Sequence, residues 1–212
     1  MTGRGAREAM IDAAERLVAE RGFAACSLRE VQALAGQRNK SAAHYHFGSL
    51  AGLVEAIVEA RMAPINAQRL AMIEALDAAG RGDDLRALVE AMVDPLADNT
   101  LGRPGSAYAR FLAQVLADPK MSVVVGRHLQ AESFRIVRQR IAAHPSVADL
   151  PPELQAVRAE RVIGLVIISL AAWEDLPGTS SARVGDLIDA CLAVLRAPVG
   201  ARTRSALEEP DE

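Results

Sequence analysis

Aromatic side chains make up only 3% of the 212 residues, and there are just two cysteines. Cys26 and Cys191 stand far apart without paired spacing, which excludes a disulfide framework and a cysteine zinc cluster. Long hydrophobic runs are missing too. The longest, Val162 to Trp173, falls well short of the roughly 20 residues that span a bilayer. The N-terminus has no apolar signal core and opens on an amphipathic stretch instead. Neither the alternation of a half-buried strand nor an internal repeat is visible. Together these absences predict a protein of the reducing cytoplasm, helical and without a membrane partner.

Charge of one sign is also lacking: the formal net charge is −3, which excludes a uniformly basic nucleic-acid coat. Its distribution is uneven. Residues 1–48 hold seven Lys/Arg against five acids, a net of +2, which leaves −5 for the remainder. A mildly basic head on an acidic body fits local contact with a polyanion. Half of the sequence is hydrophobic and Ala and Leu abound, the composition of packed helices.

In the head, Met10, Ala14, Leu17 and Val18 recur at helical spacing and predict a first helix ended by Gly22, with Phe23 packing beneath it. Ser27-Leu28-Arg29-Glu30 reads as a capping box that opens a second, short helix. Leu28, Val31, Leu34 and Ala35 are its expected buried stripe, and Gly36 its stop. A third short helix is predicted to start near Asn39, a good N-cap residue. One long helix and two short ones across a glycine-containing turn form a helix-turn-helix pattern, although ordinary bundle pieces share it.

The third helix discriminates. Stepping residues 40–47 by 100° sends Lys40, Ser41, His44 and Tyr45 to one arc and Ala42, Ala43, His46 and Phe47 to the other. One arc is suited to packing and the other to hydrogen bonding. With Gln37, Arg38 and Asn39 just before it, the polar arc suits phosphates and base edges. A metal site is disfavoured, because residues two apart point about 160° away from each other and His44 and His46 cannot readily chelate one ion. No nucleophile with its base and orienting acid accompanies them either. For His46 the plain reading is a partly buried imidazole near a helix end.

AREAMIDAAERLVAERGF, SLREVQALAG and HYHFGS, in this order and spacing, resemble the N-terminal domain of TetR-type (tetracycline-repressor-like) transcriptional regulators over roughly residues 6–60. The resemblance implies an all-α homodimer, with a three-helix helix-turn-helix DNA-binding domain at 1–48 and a larger ligand-responsive helical domain at 49–197. Two features differ from the common family pattern. The segment from Gly36 to Phe47 is one residue longer, and Leu50 stands where a phosphate-touching Lys is frequent. Backbone amides of the fourth helix, or Arg38 and Lys40, are the expected substitutes.

The body reads as a fourth helix from Ser49, with Leu53, Ile57, Leu70, Ile73 and Leu76 at apolar positions and a kink or break at Pro64. Further helices are predicted at about 84–98, 106–117, 121–143, 152–175 and 182–196, followed by a solvated or disordered acidic tail over 198–212. The helices at 152–175 and 182–196 are so broadly apolar that a second copy is expected to cover one side of them. Candidate lining residues of an effector pocket are Met92, Tyr108, Phe111, Gln114, His128 and Trp173.

The expected function is a dimeric, sequence-specific regulator of transcription, a repressor released from a palindromic double-stranded DNA operator by a small-molecule effector. Ser27, Arg29, Gln37, Arg38, Asn39, Lys40, Ser41, His44, Tyr45 and His46 are the expected DNA contacts. No enzyme activity, cofactor or metal is expected. The rival is a small-molecule-binding helical protein, or an enzyme on a similar body, whose N-terminal helices merely pack.

Overall fold

The computed structural model of the chain describes residues 3–39, 41–126, 132–178 and 181–208. Among these every regular element is helical. The head consists of α1 (Gly3–Arg21), a 3-10 turn (Phe23–Ala25), α2 (Leu28–Leu34) and α3 (Ala42–Phe47). The body follows with α4 (Leu50–Ala78), α5 (Leu85–Thr100), α6 (Tyr108–Ala117), α7 (Pro119–Gly126), α8 (Glu132–Ala143), α9 (Pro145–Ala148), α10 (Pro152–Trp173), α11 (Ser181–Arg196) and α12 (Ala201–Glu208).

Several boundaries depart from the sequence reading. The helix predicted over 121–143 is described as α7 and α8, with 127–131 between them, and therefore His128, outside the described residues. A short α9 was not foreseen; Pro145 sits at its first turn and the His144 ring nitrogen accepts the Ser146 amide at 3.2 Å. Where a solvated or disordered tail was expected, residues 201–208 form α12, exposed along nearly its whole length. Pro64 does not interrupt α4, which runs unbroken from Leu50 to Ala78. A proline removes one ladder bond, and the packing of Met62, Ile65 and Ile73 holds the flanking turns in place.

Burial corrects two side-chain assignments. Leu34 is 58% exposed, while Gln32 is buried beside Val31. At 100° per residue, positions 28, 31, 32 and 35 cluster on one face and 34 falls outside it. On α4 the buried positions include Arg69, with Leu70 only half-buried. Arg69 answers a local defect. Pro95, inside α5, has no N–H to return to the Ala91 carbonyl. The Arg69 Nε donates to that carbonyl at 3.1 Å, while Nη1 reaches Asn66 Oδ1 (2.9 Å) and Ser133 Oγ (3.3 Å). Its guanidinium also lies 5.5 Å from the Phe134 ring centre.

Head and body share one continuous core, from Met10 and Leu17 through Phe47 and Ile57 to Phe111, Leu170 and Leu192. Helix α1 packs on α6, and Phe23 meets Phe111 edge-on with ring centres 6.2 Å apart. Two buried carboxylates grip the start of α6. From α1, Glu15 accepts the Ala107 amide at 3.2 Å. From the end of α10, Glu174 accepts Ser106 Oγ at 2.7 Å and the Ala109 and Arg110 amides at 3.1 Å each. These are the orphan donors of a helix N-terminus, satisfied from outside the helix.

On α10, Val162, Val166, Ile167 and Leu170 turn inward. Its opposite side leaves Ile168 56% exposed, with Leu165 half-buried and Leu176 exposed beyond the helix end.

Candidate nucleic-acid interface

Local chemistry shapes the head. Gly22 ends α1 at φ +72°, ψ 177°, a region open essentially to glycine alone and distinct from the left-handed helical conformation in which many helices end. Ser27 caps α2, its Oγ accepting the Glu30 amide at 3.2 Å, which is the first half of the expected box. At the other end Gly36, at φ +65°, closes α2 with the bond pair of a Schellman cap, Gly36 N to the Ala33 carbonyl and Gln37 N to the Gln32 carbonyl.

The turn that follows is pinned rather than helical, so α3 starts at Ala42 instead of near Asn39. The Asn39 Oδ1 accepts the Ser41 amide at 3.0 Å, and the Asn39 carbonyl accepts both the Gln32 side-chain amide (2.6 Å) and the Ala42 amide (3.1 Å). Asn39 therefore caps a turn that α2 holds in place. This explains why Gln32 is buried. Gln37 donates to the Ala35 carbonyl at 3.3 Å and is half-buried, while Arg38 is exposed. Lys40 lies outside the described residues.

Helix α3 is two-faced. Ala42, Ala43 and Phe47 are buried, whereas Ser41, His44 and Tyr45 are exposed, Tyr45 by 84%. His46 is half-buried, its ring 5.2 Å from Tyr45 and 6.0 Å from Phe47. Arg7 of α1 lies 5.7 Å from the Phe47 ring centre. The sequence reading overlooked this cation; only its place on the first helix hinted at it. The HFGS ending has a mechanical reason. Gly48 takes φ +68°, Ser49 Oγ caps α4 by accepting the Gly52 amide at 3.1 Å, and the Phe47 carbonyl comes so close to Gly52 that an added Cβ would sit 2.2 Å from it. Leu50 is half-buried in the first turn of α4. Ser27 and Arg29 are exposed at the start of α2.

The candidate effector residues that are described do not converge. Met92 lines an apolar cleft of about 300 Å³ with Phe134, Ile141, Val147, Val162 and Leu195, with Arg138 and Glu160 at its edge. Tyr108 instead lines a polar cleft of about 390 Å³ between head and body. Phe111 is core, stacked on Tyr108 at 6.0 Å between ring centres. Gln114 and Trp173 are half-buried. Among the described residues no group of three or more His, Cys, Asp or Glu could hold a metal ion, and no helix is long and apolar enough to cross a membrane. Cys26 and Cys191 are free and buried, and burial pushes both thiols up to about 11.

Part of the sequence and the fold are similar to known proteins. Residues 10–57 match the family described as bacterial regulatory proteins, tetR family. No curated protein matches the chain. Among solved structures, the TetR family transcriptional regulator PfmR from Thermus thermophilus is similar, with a TM-score of 0.54 at 17% identity, over 91% of this chain and 96% of that one. The TetR-like regulator LfrR from Mycobacterium smegmatis, solved in complex with proflavine, aligns with a TM-score of 0.46 at 22% identity, over 93% and 98%. Residues 10–57 thus carry the N-terminal domain of the tetR family of bacterial regulatory proteins, on a chain that shares the all-helical fold of PfmR.

Proposed function

We propose that the chain is a dimeric, sequence-specific DNA-binding regulator that acts in the cytoplasm as a repressor and leaves its operator when a small molecule binds the body. The observation that carries this reading is the division of α3, which presents Ser41, His44 and Tyr45 outward from a floor of Ala42, Ala43 and Phe47. A helix of this kind set in a major groove reads base edges, while flanking groups hold phosphates. Arg38 and Lys40 precede it, Ser27 and Arg29 stand where backbone approaches, and the first amides of α4 replace the Lys that Leu50 displaces. Asn39 serves mainly to fix the turn, and His46 mainly to pack.

The exposed stripe of α10, with α11 beside it, is the proposed two-fold interface. Two heads related by that axis read half-sites about 34–36 Å apart, or a multiple of it. An effector in the body, for which the apolar cleft beside Met92 is the first candidate, releases DNA by favouring another head separation. Reversing occupancy from 99:1 to 1:99 takes about 5.5 kcal/mol of differential affinity.

Selection of random double-stranded DNA by the purified protein tests the reading and yields the operator. On that operator, Arg38→Ala and Tyr45→Ala are each expected to weaken binding by about 1–3 kcal/mol with dimerisation intact, and affinity to fall steeply with salt. Unchanged binding in both variants, or affinity indifferent to salt, overturns it.

A further inference from the structure

We propose that the polar cleft at the junction of head and body binds a small anion that bears a carboxylate or phosphate group. The cleft, of about 390 Å³, opens between α1, α4 and the segment leading into α6. That volume lies at the small end of the roughly 300–1,000 Å³ range that holds organic ligands. Three features of its lining define what it takes.

The first is an unsatisfied hydroxyl. Tyr108 is 2% exposed, its phenolic oxygen is buried, and that oxygen has no hydrogen-bond partner. It lies within electrostatic reach of Glu15 and Arg61, and all three residues line the cleft. Buried hydroxyls are normally paired, and one left open beside a cleft marks a place for an occupant. The second is charge. Arg61 is paired within the protein with both Asp12 and Glu15, each at 2.6 Å, so the positive excess of the lining rests on Arg16 and Arg103. Arg16 and Arg103 are exposed on the lining, and neither has a carboxylate partner among the described residues. Arg103 spends only its Nε, on the Asp98 carbonyl at 2.8 Å, which leaves the outer nitrogens free. Two guanidiniums and an orphan hydroxyl on one lining suit a carboxylate or phosphate oxygen. The third is an acceptor: Pro64 returns no N–H to the Ala60 carbonyl, and both residues line the cleft, which favours an anion that also carries a hydroxyl donor, as citrate and monohydrogen phosphate do.

The occupant would touch Arg16 of α1 and Arg103 and Tyr108 of the body together. Its binding therefore biases the position of the head, a consequence that rests on the DNA-binding reading above.

The test titrates the full chain, without DNA, with citrate and separately with inorganic phosphate, at ionic strength held constant by sodium chloride. Saturable binding of at least one anion, seen by calorimetry and as a rise in Tm, is the expected result. Arg103→Ala and Tyr108→Phe should each weaken that binding about tenfold or more. The ligand-free Tm of Tyr108→Phe should equal or exceed that of the parent, since nothing is lost with an unpaired hydroxyl. Absence of saturable binding by both anions, or equal affinity in both variants, overturns the site. A lowered ligand-free Tm in Tyr108→Phe overturns the premise of the orphan oxygen. Because DNA is absent, the outcome stands whichever way the DNA-binding reading falls; adding the bound anion to the protein–operator complex then tests the coupling separately.

Discussion

Arg69 is a buried cation whose three hydrogen bonds go to neutral oxygens, and burial brings its pKa down to about 10. It stays charged at neutrality and serves the Ala91 carbonyl that Pro95 leaves open. Arg69→Met is expected to destabilise the protein by about 1–3 kcal/mol, as a buried acceptor loses its donor. The double variant Arg69→Met/Pro95→Ala should recover a large part of that loss, because the alanine replacing Pro95 supplies the missing N–H. Denaturant unfolding of the four proteins in the cycle measures the coupling. Simple additivity would show that the carbonyl is not what Arg69 holds. Asp94, also on α5, has its carboxyl pushed up to about 6 by partial burial first and by Glu90 and Asp98 next. A carboxyl bound more tightly to its proton when folded contributes stability that is present below its ordinary 3.8 and lost as pH rises through about 6. Asp94→Asn should therefore raise Tm at about pH 8 and leave it nearly unchanged at about pH 4. Equal gains at both would place the effect outside this titration.

At the scale of elements, the junction of α3 and α4 is the tightest constraint on the exposed face. Gly52→Ala puts a methyl group against the Phe47 carbonyl, and the expected result is a loss of about 1–3 kcal/mol in unfolding experiments, as for other overpacked sites. A variant as stable as the parent would show that α3 shifts freely on α4. Local signals made this part of the chain readable in advance. Ser27 before Glu30, glycines at 22 and 36, and two alanines with a phenylalanine at helical spacing act within one or two turns, so sequence alone exposes them. The pinned turn was harder. Gln32 reaches seven residues ahead to Asn39, and that contact turns an apparent helix cap into a loop brace. Arg69 was unreadable for a similar reason, since its partner carbonyl is made available by a proline on another helix. The scatter of the five described candidate effector residues has the same origin: which helix faces enclose a space depends on packing, not on spacing along one helix.

For the molecule as a whole, the side of α10 that exposes Ile168 is the proposed contact with a second copy. If a second copy covers it, Ile168→Glu places a carboxylate in the middle of that contact and should convert a dimer into a folded monomer, as read by light scattering with unchanged helical circular dichroism. A variant that stays dimeric removes α10 from the interface. The same variant should also lose operator affinity, because two linked heads bind far more tightly than one. The join between head and body carries a further consequence. Glu15 holds the Ala107 amide across the boundary while Glu174 holds the next free amides from the body's own side. A swing of the head that parts Glu15 from the loop frees one proton to solvent and leaves its neighbours protected. Hydrogen–deuterium exchange at Ala107, compared with Ala109, is thus a built-in clock for how often the head lets go.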